Sequence, residues 1–251
     1  MGYRLQDLID VPKFQELLDR AYDAFDLASA ILDNKANVLT ASGWQKLCTD
    51  FHRVNPKTLE KCQASDMYIL DHLEDAKPSV SYNCALGLVD CATPIFIDGE
   101  HLGNVFIGQF FTKAPDLEHF RAQAETFGFD VEAYLEAVRR VPVISQDKMD
   151  RSLAFVRSFT EFVGQIGLER LRDLQTTEAL RQSEARFKGL VEHLPQRVFL
   201  KDTSSAYVAC NTNYAQDMGL DGPDDIAGLR DYDLCPRELA DKYHADDARI
   251  M

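Results

Sequence analysis

The sequence predicts an α+β fold built on a mainly antiparallel sheet and followed by one long helix. Three observations carry that reading. Short apolar runs bounded by turn residues alternate with amphipathic stretches over the first 143 residues, an Asp98-Gly99 pair separates two strand-like runs, and no proline interrupts residues 145–194. In chain order, Phe14, Leu17, Leu18, Ala21, Tyr22 and Phe25 recur at helical spacing after Pro12, which predicts a helix over residues 11–26. Ala28 to Leu32 and Ala36 to Thr40 read as strands around the turn Asp33-Asn34-Lys35. A helical pattern runs from Trp44 to about Leu73 and breaks at Asn55-Pro56, because proline disfavours the helical conformation in its predecessor. Val80 to Cys84, Leu88 to Ile97 and His101 to Phe111 are strand-like, and Leu117–Phe127 and Val131–Val138 are short helices, the first ended by Gly128.

From Ser145, a plausible N-cap, the pattern becomes that of one helix reaching Leu194. Met149, Val156, Phe159, Val163 and Ile166 keep heptad-like spacing, continued less regularly by Leu171, Leu174 and Leu180. Residues 145–194 carry 8 basic and 8 acidic side chains, a net of zero, which suits a dimeric coiled coil. The half nearer Leu153 equally suits packing on the preceding domain; the half from Leu171 to Leu190 is too charged for a monomer core and favours dimerisation. Pro195 ends the helix. Val198-Phe199-Leu200 and Tyr207 to Cys210 then pair around Asp202-Thr203-Ser204-Ser205, and a short helix starts near Asn213 with Tyr214, Met218 and Leu220 inward. Two strands do not make a stable sheet, so the chain is expected to stop inside this second domain, with residues 195–251 its least protected part.

Composition bounds the function. With 251 residues, 45% hydrophobic and 27% charged, the chain has material for one large or two small cores. Lys+Arg 27 against Asp+Glu 41 gives a net charge of -14, which argues against nucleic acid and anionic lipid as partners. No apolar stretch is long enough to span a bilayer, and the start Met-Gly-Tyr-Arg-Leu-Gln-Asp lacks the apolar core of a secretory signal, so a cytoplasmic setting is expected. The six cysteines then read as metal, redox or core residues, not as disulfides.

Cys48 and His52 stand at i and i+4 on one expected helix, Cys62 follows on the next, and Cys84 closes a strand. One imidazole and three thiols suit zinc or another thiophilic metal, although the spacing is irregular and holds no Cys-x-x-Cys pair. The same residues equally read as buried fillers or as a redox group. Cys91 reads as core, Cys210 and Cys235 find no partner by spacing, and His193 reads as a helix-end packing residue. There is no Gly-x-Ser-x-Gly, Walker loop, His-Glu-x-x-His or calcium loop, so no catalytic residue is assigned and no enzyme is expected. Tyr82, Asn83, Asp90, Asn104 and Gln109 are polar within apolar strands, as in a ligand pocket or on an outward sheet face, and Gly99, Gly103 and Gly108 fit turns or close approach of a ligand.

Leu5-Gln6-Asp7-Leu8-Ile9-Asp10, Trp44-x-x-x-Cys48-x-x-x-His52-Arg53-x-x-Pro56, Cys62, Ser65-Asp66, Cys84-x-x-Gly87-Leu88-x-Asp90 and Gly108-Gln109-Phe110-Phe111, with Pro142 before the exit helix, together resemble the PocR sensory domain over about residues 5–165. The resemblance implies a PAS-like antiparallel sheet flanked by helices, in bacterial or archaeal signalling proteins that bind small hydrocarbon derivatives such as diols. It carries Cys48, His52, Cys62 and Cys84 over as motif positions; Cys91 falls where an aliphatic residue is expected. Residues 180–192, Val198 to Asp202, Asn211-x-x-Tyr214 and Gly228 to Asp233 are similar to the opening and helical middle of a PAS domain, whose later strands do not follow.

The expected organisation is thus a sensory domain over 1–144, a signalling and dimerisation helix over 145–194 and a partial PAS domain over 195–251. The expected function is a sensor of a small organic molecule, or of metal or redox state, in a two-component-type system. A homodimeric helix relays to a downstream output, a histidine kinase or cyclase in relatives. The expected ligand-binding residues are Cys48, His52, Cys62, Tyr82, Cys84, Asp90 and Gln109, and the metal set is Cys48, His52, Cys62 and Cys84. The rival reading is an oligomerisation module in which that set is a closed zinc staple and no ligand binds.

Overall fold

The computed structural model describes residues 2–68 and 79–250. The expected helical run to Leu73 therefore ends outside the described residues. The chain divides into two compact units, residues 1–173 and 174–251.

In the first unit, strands β1 (Ser29–Asp33), β2 (Val38–Ser42), β3 (Val80–Asn83), β4 (Val89–Ile97) and β5 (Glu100–Phe110) form one sheet in the order β2-β1-β5-β4-β3, antiparallel at every pairing. Asp98 and Gly99 make the two-residue link from Ile97 to Glu100, and both take positive φ, 52° and 78°, as the tight hairpin turn that matches strand twist requires. Alternation along β5 sends Val105 and Ile107 to one face and Phe106 to the other. Phe106 packs there with Ala30, Leu32 and Ala92.

Helix α1 (Leu5–Leu8) precedes α2 (Val11–Phe25), whose start is fixed by Pro12 and by Asp10, which accepts from the Lys13 N–H at 3.2 Å. The helical run after Trp44 breaks at Asn55-Pro56 as expected: its first part is a π-helical turn, Leu47–His52, and α3 (Pro56–Asp66) follows with Asn55 as its cap. Helices α4 (Leu117–Phe127) and α5 (Val131–Arg140) are capped by Asp116 and Asp130, and Gly128 ends α4 in the left-handed region at φ 74°. With the π-helical turn they enclose a core around the fully buried Tyr134, Leu135 and Val138.

Helix α6 (Gln146–Glu192) starts where Ser145 Oγ accepts from the Lys148 N–H at 3.2 Å. Its first half packs on its own domain. Val156, Phe159, Val163 and Leu171 are buried, and Phe159 meets Phe14 edge to face at 5.8 Å. Gly164 and Gly167 let the helix press on the end of β4: a Cβ there would stand 2.7 Å from the Phe96 carbonyl and 2.2 Å from Ile97 Cδ1.

The second unit holds β6 (Phe199–Lys201) paired antiparallel with β7 (Tyr207–Cys210), then α7 (Thr212–Asp217), a 3-10 turn (Pro223–Ile226), α8 (Asp231–Leu234) and α9 (Arg237–Ile250). Tyr207, Tyr214, Ala215 and Ile226 form its core, with Met218 and Leu220 packed against it. Lys201, 5% exposed, bridges Asp231 and Asp247 at 2.7 and 2.8 Å. Asn211 secures the exit from α6 by donating to the carbonyls of Val191, Leu194 and Gln196. His193 meets the Gly189 carbonyl through Nδ1 at 2.7 Å, the helix-end role its position implies. No helix among the described residues is long and apolar enough to cross a membrane.

Candidate functional site

The site begins with a break in helical geometry. The Arg53 N–H bonds to the Cys48 carbonyl at 2.9 Å, five residues back, which widens the turn to π geometry, a form that recurs at functional sites. The widened turn buries both Cys48 and His52 and turns them toward the sheet. Immediately after it, Arg53 donates through Nη2 to both carboxylate oxygens of Asp66 at 3.0 and 2.9 Å and lies 4.5 Å over the Trp44 ring. That pair ties the turn to α3, which brings Cys62 and Ser65 to the same place.

The sheet supplies the opposite wall. Val89 pairs with Phe110 but Asp90 with Gly108, so Gln109 is an extra residue in β5, a bulge held at φ 60°. Non-glycine residues enter that region at a cost of about 1–3 kcal/mol and persist only where the surroundings hold them. Two bonds do so here: the Gln109 N–H donates to Asp90 Oδ1 at 3.0 Å, and Gln109 Oε1 accepts from the Gln45 N–H at 2.6 Å. Asp90 lies across Gly108, where no side chain can stand. Cys84 sits in the tight turn before β4, its N–H bonded to the Leu88 carbonyl at 2.7 Å.

These elements enclose a cavity of about 40 Å³. Cys48, His52, Cys62, Cys84, Asp90 and Gln109 all line it, with Arg53, Asp66, Ser65 and Trp44 adding polar wall and Ala30, Leu32, Leu88 and Phe106 apolar wall. Tyr82 is not in the lining; it stands behind it, its hydroxyl donating to the Ser65 carbonyl at 2.8 Å and its ring 4.5 Å from that of Tyr68. Asn83 is exposed, Asn104 is buried beside His101, and Cys91, 1% exposed, is core.

Burial decides the protonation states. It raises the Cys48 thiol, with Asp90 adding to the effect, and it pushes Cys62 up to about 11 and Cys84 to about 12, so all three are neutral thiols. Burial, helped by Arg53, lowers His52 to about 4. Gln123 donates to the Tyr134 hydroxyl at 2.7 Å, which leaves the phenolic proton for His52 Nε2, also at 2.7 Å. Burial lifts Asp90 to about 7, against the lowering effect of the Gln109 N–H.

As a metal centre the arrangement does not fit. The four expected ligands line one cavity, yet among the described residues no three His, Cys, Asp or Glu side chains stand where one ion could be held. The His52 nitrogen that faces Tyr134 is engaged by its hydroxyl.

Sequence alone offers Arg53, Asp66 and Trp44 only as motif positions and Phe106 only as strand, while Gly108 fits the close approach expected of it, with Asp90 lying across it. Nothing in the sequence separates the Arg53–Asp66 pair from an exposed ion pair; what marks it is the cation stacked on Trp44.

Among known proteins, the model of the sensory domain found in PocR matches residues 7–168, and the model of a PAS fold matches residues 191–251. No curated protein matches. The solved complex of DhaR(N) with DhaL from E. coli is similar at 17% identity and a TM-score of 0.35, covering 98% of this chain and 78% of that one. The match over residues 7–168 takes in the sheet, the π-helical turn and every cavity-lining residue, and by it the chain belongs to the family of PocR sensory domains.

Proposed function

We propose that this chain is the input part of a cytoplasmic signal-transduction protein, and that its thiol-lined cavity binds a small uncharged hydroxylated molecule such as a diol. The observation that carries the reading is the convergence of Asp90, Gln109 and Arg53 on one small space whose thiols and imidazole are neutral. Asp66 already neutralises Arg53, so an anionic guest would bury an unbalanced charge, whereas hydroxyls can donate to Asp90. A cavity of about 40 Å³ holds only a few non-hydrogen atoms, given about 10–15 Å³ for one water on this measure. Ala30, Leu32 and Phe106 would take the carbon skeleton.

Occupancy would be read out through the π-helical turn, which the His52–Tyr134 bond ties to α5, and through the sheet, on which the first half of α6 rests. A guest moves this equilibrium only by its difference in affinity for two arrangements. The second half of α6 exposes Leu180, Phe187 and Leu190, a seam for a parallel helix pair, and in this reading it links a homodimer to the PAS segment and an output module.

Thermal-shift titration of the whole chain with ethylene glycol, 1,2-propanediol, short alcohols and short amines, beside elemental analysis of the purified protein, tests the reading. A diol is expected to raise the melting temperature and Asp90→Asn to diminish the rise. An unmoved melting temperature with stoichiometric zinc would favour the closed staple instead.

A further inference from the structure

A second space, of about 370 Å³, opens on the sheet face opposite the thiol cavity. Val105 and Ile107 form its floor, while their neighbours Phe106 and Gly108 face the cavity. Leu18 and Phe25 of α2 make one wall, and Val156 and Phe159 of α6 the other. The volume lies in the range of about 300–1,000 Å³ usual for small-molecule pockets.

Its shape and charge say what would fill it. The Phe25 and Phe155 rings lean together from the two helices, their centroids 6.1 Å apart, and narrow the opening. A helix of another protein, about 10–12 Å across, is too wide for a space of about 370 Å³, whereas a single alkyl chain fits within it. The polar end of the groove is basic in an otherwise acidic protein. Lys148 and Arg151 line it beside Ser152; Asp147 holds Arg151 at 2.7 Å, and half-buried Lys148 has no ion pair with a described residue.

We propose that this groove binds a medium-chain aliphatic carboxylate, with its chain between the sheet and α6 and its carboxylate at Lys148. Such a guest sits directly under the helix that leaves the domain. It would act as a second input to α6, separate from the thiol cavity and independent of what that cavity binds.

Calorimetric titration of the whole chain with hexanoate, octanoate and decanoate below their micelle concentrations tests this. Affinity is expected to rise about fourfold per added methylene, as transfer of one buried CH2 dictates, and octylammonium is expected to bind more weakly than octanoate. Lys148→Glu, at a half-exposed position that leaves the fold intact, should weaken octanoate several-fold, and Ala21→Phe or Ser152→Phe, filling the groove from different helices, should abolish it. The proposal is overturned if no acid binds, if octylammonium matches octanoate, or if Lys148→Glu leaves octanoate unchanged. Self-association abolished by the filling variants, without alkanoate binding, would likewise overturn it and make the groove a contact between copies.

Discussion

A Cβ at Gly108 would stand 1.9 Å from Asp90 Oδ1, so the bare backbone there is what lets the carboxylate lie along the cavity wall. Gly108→Ala should displace it and weaken diol binding about tenfold or more, since a site built to bond a hydroxyl loses most when its polar partner is misplaced; titration calorimetry reads the change. Asp90 also sets a pH dependence. Its pKa is raised to about 7 in the fold, so its contribution to stability is present below the ordinary carboxylate range and is lost as pH rises through about 7. His52 has the opposite sign: its pKa falls from 6.5 to about 4, and its contribution is lost as pH falls across that window. The two windows overlap, so the slopes nearly cancel between about pH 4 and 6.5; Asp90→Asn should remove the Asp90 contribution and leave a urea midpoint that falls with acid across that window, as His52 alone dictates. Tyr134→Phe strands the buried His52 nitrogen and should cost about 1–3 kcal/mol in the same assay. At this scale the sequence was legible for groups with unusual chemistry, Cys48, His52 and Asp90 among them. It was not legible for Arg53 and Asp66, whose meaning depends on burial that only the packed α3 supplies.

Elements were most legible where a local rule sufficed. The Asp98-Gly99 hairpin, the Ser145 cap and the Gly128 stop follow from turn and capping chemistry alone. The π-helical turn escaped because its extra residue leaves the apolar spacing almost unchanged. Helix α9 escaped too, since few apolar residues mark it; Ala240, fully buried, and the Lys201–Asp247 bridge hold it in place. The expectation that residues 195–251 are the least protected part meets a unit with a buried ionic cluster and an aromatic core. The glycines of α6 give a test of helix packing. At Gly189 an added Cβ meets nothing within 4 Å, and Gly189→Ala should stabilise by up to about 1 kcal/mol through helix propensity. At Gly164 the same change collides with the Phe96 carbonyl and should cost about 1–3 kcal/mol despite that gain, a contrast of sign that thermal melts would show.

At the scale of the molecule, the proposed relay makes α6 the element between sensing and output. Its first half was read from sequence as either coiled coil or domain packing, and burial of Val156, Phe159 and Val163 favours packing. Its second half keeps Leu180, Phe187 and Leu190 exposed, by 59 to 69%, as a partner helix would need. Sedimentation of the whole chain should show a dimer that Leu180→Glu together with Phe187→Glu converts to monomer. The central claim is that the thiol-lined cavity takes a small organic guest. Calorimetric titration of the whole chain with 1,2-propanediol tests it most directly, with Ala30→Leu, which fills the cavity, as the comparison. Saturable binding at one site per chain, lost in Ala30→Leu, is the expected result; no heat from any small diol, alcohol or amine, with zinc bound stoichiometrically, would contradict it.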